Sequence, residues 1–152
     1  MATTHYYDAE SSLVTLLRTN LTDPVGRGSR QWVYSGSPPE KGSRSVKIHV
    51  SRRGDVNPRR RIGSYNQDLE VNYLILVQVP LGKQGSVGGT DYSGTGLLNK
   101  ICDDVASVME DNASSISGVK YAQRVTSGGY YYNPDTKCYV APMEYQFTIE
   151  NN

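Results

Sequence analysis

Histidine and cysteine are scarce in this chain, which has only His5, His49, Cys102 and Cys138. Two thiols cannot build a disulfide framework or a four-thiolate zinc site. Two imidazoles leave little for metal chemistry. Long apolar runs are missing too. The longest, Tyr73–Leu81, falls far short of the roughly 20 residues a membrane helix needs, so no membrane partner is expected. No basic start leads into an apolar stretch at the N-terminus, so a secretory signal is not expected either. There is one Phe and one Trp, against twelve Tyr. These scarcities argue against most enzyme classes.

What is present fits a single domain over 1–152. Of the residues, 37% are apolar and 20% charged, low in apolar content for a globular chain but too rich for a disordered one. The net charge of +1 hides an asymmetry. Residues 18–61 hold eleven basic residues against Asp23, Glu40 and Asp55, a net +8. Residues 62–152 hold five basic and ten acidic residues, a net −5. Such a surface can face nucleic acid or the oppositely charged side of a second copy.

Residues 8–21 read as a helix. Asp8 can cap it, and Leu13, Val14, Leu16, Leu17 and Leu21 form one stripe. Asp23-Pro24 stops it. Trp32–Tyr34 reads as a short strand. Val46, Ile48 and Val50 alternate with Lys47, His49 and Ser51, a strand with one buried face. The basic stretch Arg52–Arg61 then reads as the exposed tip of a long hairpin. Its return strand is Asp68–Val79, with apolar residues on both faces and so central in a sheet. Gly82–Gly96 holds six glycines and reads as a flexible loop. Thr95–Asp111 is an amphipathic helix, with Leu97, Leu98, Ile101, Cys102, Val105, Val108 and Met109 on its stripe. Val119–Val125 is a strand. Asn133–Thr136 turns the chain between Tyr130–Tyr132 and a last, cleanly alternating strand from Cys138.

This order predicts an α+β fold: a mostly antiparallel sheet, two helices packed on one face, and an extended arginine-rich hairpin. The other face then presents Lys47, His49, Glu144, Gln146 and Thr148 to water or a partner.

Catalytic constellations are not evident. Gly82-Lys83-Gln84-Gly85 does not fit a phosphate-binding P-loop. Cys102 lies on an apolar helix stripe, and Cys138 opens a strand. His49 has no acid or nucleophile at informative spacing. Asp103-Asp104 reads as a solvated helix face. No catalytic residue, cofactor or metal is expected.

The functional candidates are contact residues. Arg52, Arg53, Arg59, Arg60 and Arg61 can touch a phosphate backbone, or an acidic neighbouring subunit, without reading bases. Tyrosine offers apolar area with a polar tip, which makes Tyr130, Tyr131 and Tyr132 a candidate oligomer or partner interface. Lys83 and Asp91, the charges of the glycine-rich stretch, join them.

The order of elements over nearly the whole chain resembles the tail terminator (head–tail joining, or tail completion) proteins of long-tailed bacteriophages. The matching parts are the helix Asp8–Leu21, the strand Ser45–Ser51, the arginine-rich arm, and the strand Leu69–Val79. The glycine-rich loop, the helix Gly96–Asp111 and the strands Val119–Thr126 and Tyr139–Ile149 complete it. The likeness is topological, because that family has no catalytic motif to match. The glycine loop and the Tyr130–Tyr132 region look longer here than a minimal version needs. The resemblance implies a virion protein, assembled in the host cytoplasm, that forms a homo-oligomeric ring, as a hexamer. The ring caps the tail tube, joins it to a neck or head-completion protein, and lets genomic DNA pass with non-specific contact. The arginines would then lie on an arm touching a neighbour or the lumen. Other readings are a neck connector, a coat protein, or a small nucleic-acid-binding module.

Overall fold

A computed structural model describes residues 6–27, 32–36, 45–60, 67–112, 116, 119–126 and 129–151. Helix α1 spans Tyr6–Asn20 and helix α2 spans Gly94–Asn112. The strands are β1 Val33–Ser35, β2 Lys47–Arg60, β3 Gln67–Pro80, β4 Gln84–Val87, β5 Thr90–Ser93, β6 Val119–Thr126, β7 Tyr131–Asn133 and β8 Cys138–Asn151. The main sheet has the order β1-β2-β3-β8-β6, with β7 also on β8. Every pairing in it is antiparallel except β1 with β2. The fold is α+β.

Alternation explains which sheet face is dry. Val46, Ile48 and Val50 of the β2 segment, Val71, Tyr73, Ile75, Val77 and Val79 of β3, and Met143, Tyr145 and Phe147 of β8 are buried. They share one core with Leu13 and Leu17 of α1 and Leu97, Leu98, Ile101 and Val105 of α2. Both helices therefore cover the same face, as the stripes require. Tyr73 and Phe147 meet in this core with ring centroids 5.2 Å apart.

β8 is paired with β3 along its whole length. On its other side β7 takes Cys138–Val140 and β6 takes Glu144–Ile149. Pro142 falls in the gap between them, the stretch of β8 with a partner strand on one side only, which is where a residue without an N–H is tolerated.

Three expectations need correction. Helix α1 begins at Tyr6, so Asp8 sits inside the first turn rather than at the cap; a carboxylate is still favourable there. Residues 84–93 are a two-stranded hairpin, not a flexible loop. Gly88 and Gly89 have φ of +61° and +82°, the pair of positive angles that a tight hairpin turn needs. The outer sheet face is not simply wet. Lys47, His49 and Thr148 are buried there, and Glu144 and Gln146 are half-buried. Part of the cause is Tyr34 on β1, whose ring stacks on His49 at 5.6 Å and takes the Lys47 ammonium at 6.0 Å.

Candidate interaction surfaces

The arginine arm is a strand rather than a tip. β2 runs unbroken to Arg60, with Arg52 opposite Tyr73, Arg53 opposite Asn72, Arg59 opposite Asp68 and Arg60 opposite Gln67. The Gly54-Asp55-Val56 stretch, read above as part of the exposed tip, is absorbed as an irregularity between Arg53 and Asn57. β8 supports the ribbon by pairing Glu150 with Asp68 and Asn151 with Gln67. Arg61 lies outside the described residues. The register therefore puts Arg59, Asp68 and Glu150 in one row across three strands. Asp55, Asp68, Glu70 and Glu150 equal the four described arginines in number, so this ribbon is close to neutral.

β2, β3 and β8 each have 14 residues, about 45 Å of strand. The longer helix, with 19 residues, spans about 28 Å. Among the residues of known exposure, the β2 core set ends at Val50, and Arg52 is exposed. On β3 and β8, by contrast, burial continues to Glu70 and Thr148, so the core follows these two strands along most of the ribbon.

The opposite end of β8 carries the tyrosines. Tyr131 pairs with Val140 and Tyr132 with Tyr139. Tyr130, Tyr131 and Tyr132 are 48%, 52% and 42% exposed. Tyr139 gathers two of them: its ring lies 5.9 Å from Tyr130, edge-on, and 5.4 Å from Tyr132. Leu81, 58% exposed, reaches this end because its N–H donates to the Lys137 carbonyl at 3.0 Å. Sequence reasoning missed Leu81 and did not group Tyr139 with Tyr130–Tyr132. A leucine between Pro80 and Gly82, where the strand stops, was the available signal. Lys83 comes to the same end, with its N–H on the Pro80 carbonyl at 3.1 Å. Asp91 is exposed on β5, opposite Ser86.

A cleft of about 320 Å³ lies between α2 and the β6–β8 pair, lined by Ala106, Met109, Glu110, Ala122, Arg124 and Tyr145. Burial pushes the Tyr145 hydroxyl up, against a weaker opposing pull from the Arg124 guanidinium that donates to it. Arg124 also supplies the basic neighbour that the acidic end of α2 lacks within its own last turn. Burial pushes the Cys102 thiol up to about 11, with Asp103 adding to the shift, so the thiol is a poor nucleophile. Among the described residues no cluster of His, Cys, Asp and Glu could hold a metal. Among them, too, no helix is long and apolar enough to cross a membrane.

No protein-family model and no curated protein sequence matches the chain.

Proposed function

We propose that this chain is a structural virion protein. It forms a ring that caps a tail tube and joins it to the neck or head, with DNA passing through. No bond is made or broken in this role. The observation that supports the reading is the long β2–β3–β8 ribbon, which carries the arginine-bearing stretch of β2 towards one end and the exposed tyrosines at the other. A protomer with two different contact surfaces at opposite ends suits head-to-tail association, which closes into a ring when the rotation per step allows. The near-neutral ribbon suits a conduit, because a strongly basic lining would hold DNA through its phosphates. The partners are copies of itself, a tail tube protein, a neck or head-completion protein and, non-specifically, genomic DNA. The place of assembly is the host cytoplasm.

The test is light scattering after size exclusion at low and high salt, with electron microscopy of tail tubes incubated with the protein. A hexamer, or a concentration-dependent monomer–hexamer mixture, and density capping one tube end are expected. A very large closed particle would replace the reading with a coat protein. A monomer that ignores tubes and shifts duplex DNA with a steep salt slope would replace it with a nucleic-acid-binding module.

A further inference from the structure

We propose that the cleft between α2 and the β6–β8 pair binds a small zwitterion, an α-amino acid with an apolar side chain. Such a site is independent of the ring reading, and either can fail alone.

Two walls enclose the cleft. Ala106, Met109 and Glu110 of α2, three and four residues apart, share one side of the helix and form the first. Ala122 and Arg124 of β6, with Tyr145 of β8, form the second. Arg124 stands opposite Tyr145 in the register, and Ala122 opposite Phe147, so all of them belong to the sheet face that the helices cover. The floor is apolar. Met109 and Tyr145 are 4% and 5% exposed, and Ala106 and Ala122 pack against the core. The two alanines come from opposite walls, and their short side chains leave the space of about 320 Å³ open. That volume suits a ligand on the order of ten non-hydrogen atoms.

The mouth carries both signs of charge. Glu110 and Arg124 are exposed on opposite walls. Among the described residues no ion pair joins them. A molecule with an ammonium and a carboxylate can bridge the two. The carboxylate fits the Arg124 side, where a guanidinium fork can meet it with two parallel bonds. Tyr145 adds a donor there: its hydroxyl accepts from Arg124, which leaves its own proton to donate to the ligand. Burial raises that hydroxyl's pKa, so the proton stays on at neutral pH. The ammonium fits Glu110, in the last turn of α2, where the helix dipole also favours a cation. A simple anion is repelled by Glu110, and a simple cation by Arg124. The apolar side chain of the ligand rests on Met109, the two alanines and the Tyr145 ring.

Titration with L-phenylalanine, followed through the amide shifts of isotope-labelled protein, tests the site. Saturable shifts are expected at Val105–Glu110, Ala122–Val125 and Tyr145. The dissociation constant should be on the order of 1 mM, the scale for a ligand of this size. N-acetyl-L-phenylalanine lacks the ammonium, and L-phenylalaninamide lacks the carboxylate. Each should bind about tenfold more weakly, the scale of one charge-assisted hydrogen bond. Glu110→Gln should lose the preference for L-phenylalanine over the acetylated form, and Arg124→Gln the preference over the amide. Both side chains are exposed, so both variants should keep the wild-type circular dichroism spectrum. The site is overturned by an absence of saturable shifts up to the solubility limit, by shifts confined to other residues, or by preferences that survive both substitutions.

Discussion

Ser86 donates its backbone N–H to the carbonyl of Pro24 at 2.8 Å, tying the β4–β5 hairpin to the turn that ends α1. The close approach needs Gly85. A Cβ there would meet the Pro24 Cβ at 2.9 Å, the Pro24 carbonyl oxygen at 3.0 Å and the Leu97 side chain at 3.2 Å. Two of those atoms belong to a rigid turn, so the hairpin itself would have to shift. Gly85→Ala should cost about 1–3 kcal/mol, the scale of overpacking. Gly129→Ala, where a Cβ meets open space, should be within about 0.5 kcal/mol of wild type. Urea midpoints of the two variants check this, and equal midpoints would mean that the hairpin is not held at Pro24.

Arg18 fastens the other side of the same corner. Its Nε and Nη2 both donate to the Val33 carbonyl, at 2.9 and 2.7 Å. The last turn of α1 is thereby tied to β1, the short parallel edge strand. Arg18→Ala should cost about 1–2 kcal/mol, as a charged group is lost from a part-buried carbonyl. Arg18→Lys should recover only part of it, since an ammonium has no fork. Thermal melts of the three proteins rank them; an Arg18→Ala melt equal to wild type would show that β1 is held elsewhere.

The helices and long strands were legible because their apolar spacing is dictated by burial on one side. Leu97, Leu98, Ile101 and Val105 follow a 3.6-residue period, and Tyr139 to Phe147 a two-residue one. Two features resisted for physical reasons. Gly88-Gly89 in a glycine-rich run signals both looseness and a tight turn, and only the pairing of Gln84–Val87 with Thr90–Ser93 decides which. The arginine stretch has the composition of a solvated tip, yet Arg59 sits in a ladder, because Asp68 and Glu150 lie beside it in register. The pairing of Asp68 with Glu150 joins residues 82 positions apart, which local reasoning cannot reach. The tyrosine end was half visible: Tyr130–Tyr132 stood out by composition, while Leu81 joined them only through the Lys137 carbonyl.

Core and arm should respond oppositely to substitution. Ile101 is 2% exposed on the buried stripe of α2. Ile101→Asp places a carboxylate there with no partner, and should cost about 4 kcal/mol or more and leave the chain unfolded. Changing Arg59, Arg60 and Arg61 to Ala removes no backbone ladder bond, and should cost under about 1 kcal/mol. Circular dichroism at 25 °C separates the two. A folded Ile101→Asp protein would mean that α2 does not pack on the sheet. An unfolded triple variant would mean that the arm is part of the core.

His49 should make stability fall on mild acidification. It is 5% exposed, and among the described residues neither ring nitrogen has a hydrogen-bond partner of good geometry. Burial holds its pKa below the usual 6.5, and the neighbouring Lys47 cation adds to this. The Gly36 backbone opposes the shift in part. The neutral ring is thus favoured in the folded chain, and the unfolded chain binds the extra proton first. The contribution is whole above pH 6.5 and is lost as pH falls from there through the folded pKa. The Asp23 carboxyl acts in a separate, lower window. Burial raises it, but the Arg27 guanidinium and the N–H groups of Val25 and Arg27 together pull it below 3.8. Its contribution is whole above 3.8 and is lost as pH falls through its lowered value. His49→Phe keeps a ring against Tyr34 and removes the titration. Its melting temperature should stay flat where the wild-type value drops just below pH 6.5, while both proteins lose stability together at lower pH. A wild-type curve that is flat between pH 7 and 5 would show that His49 titrates freely and is not sealed beneath Tyr34.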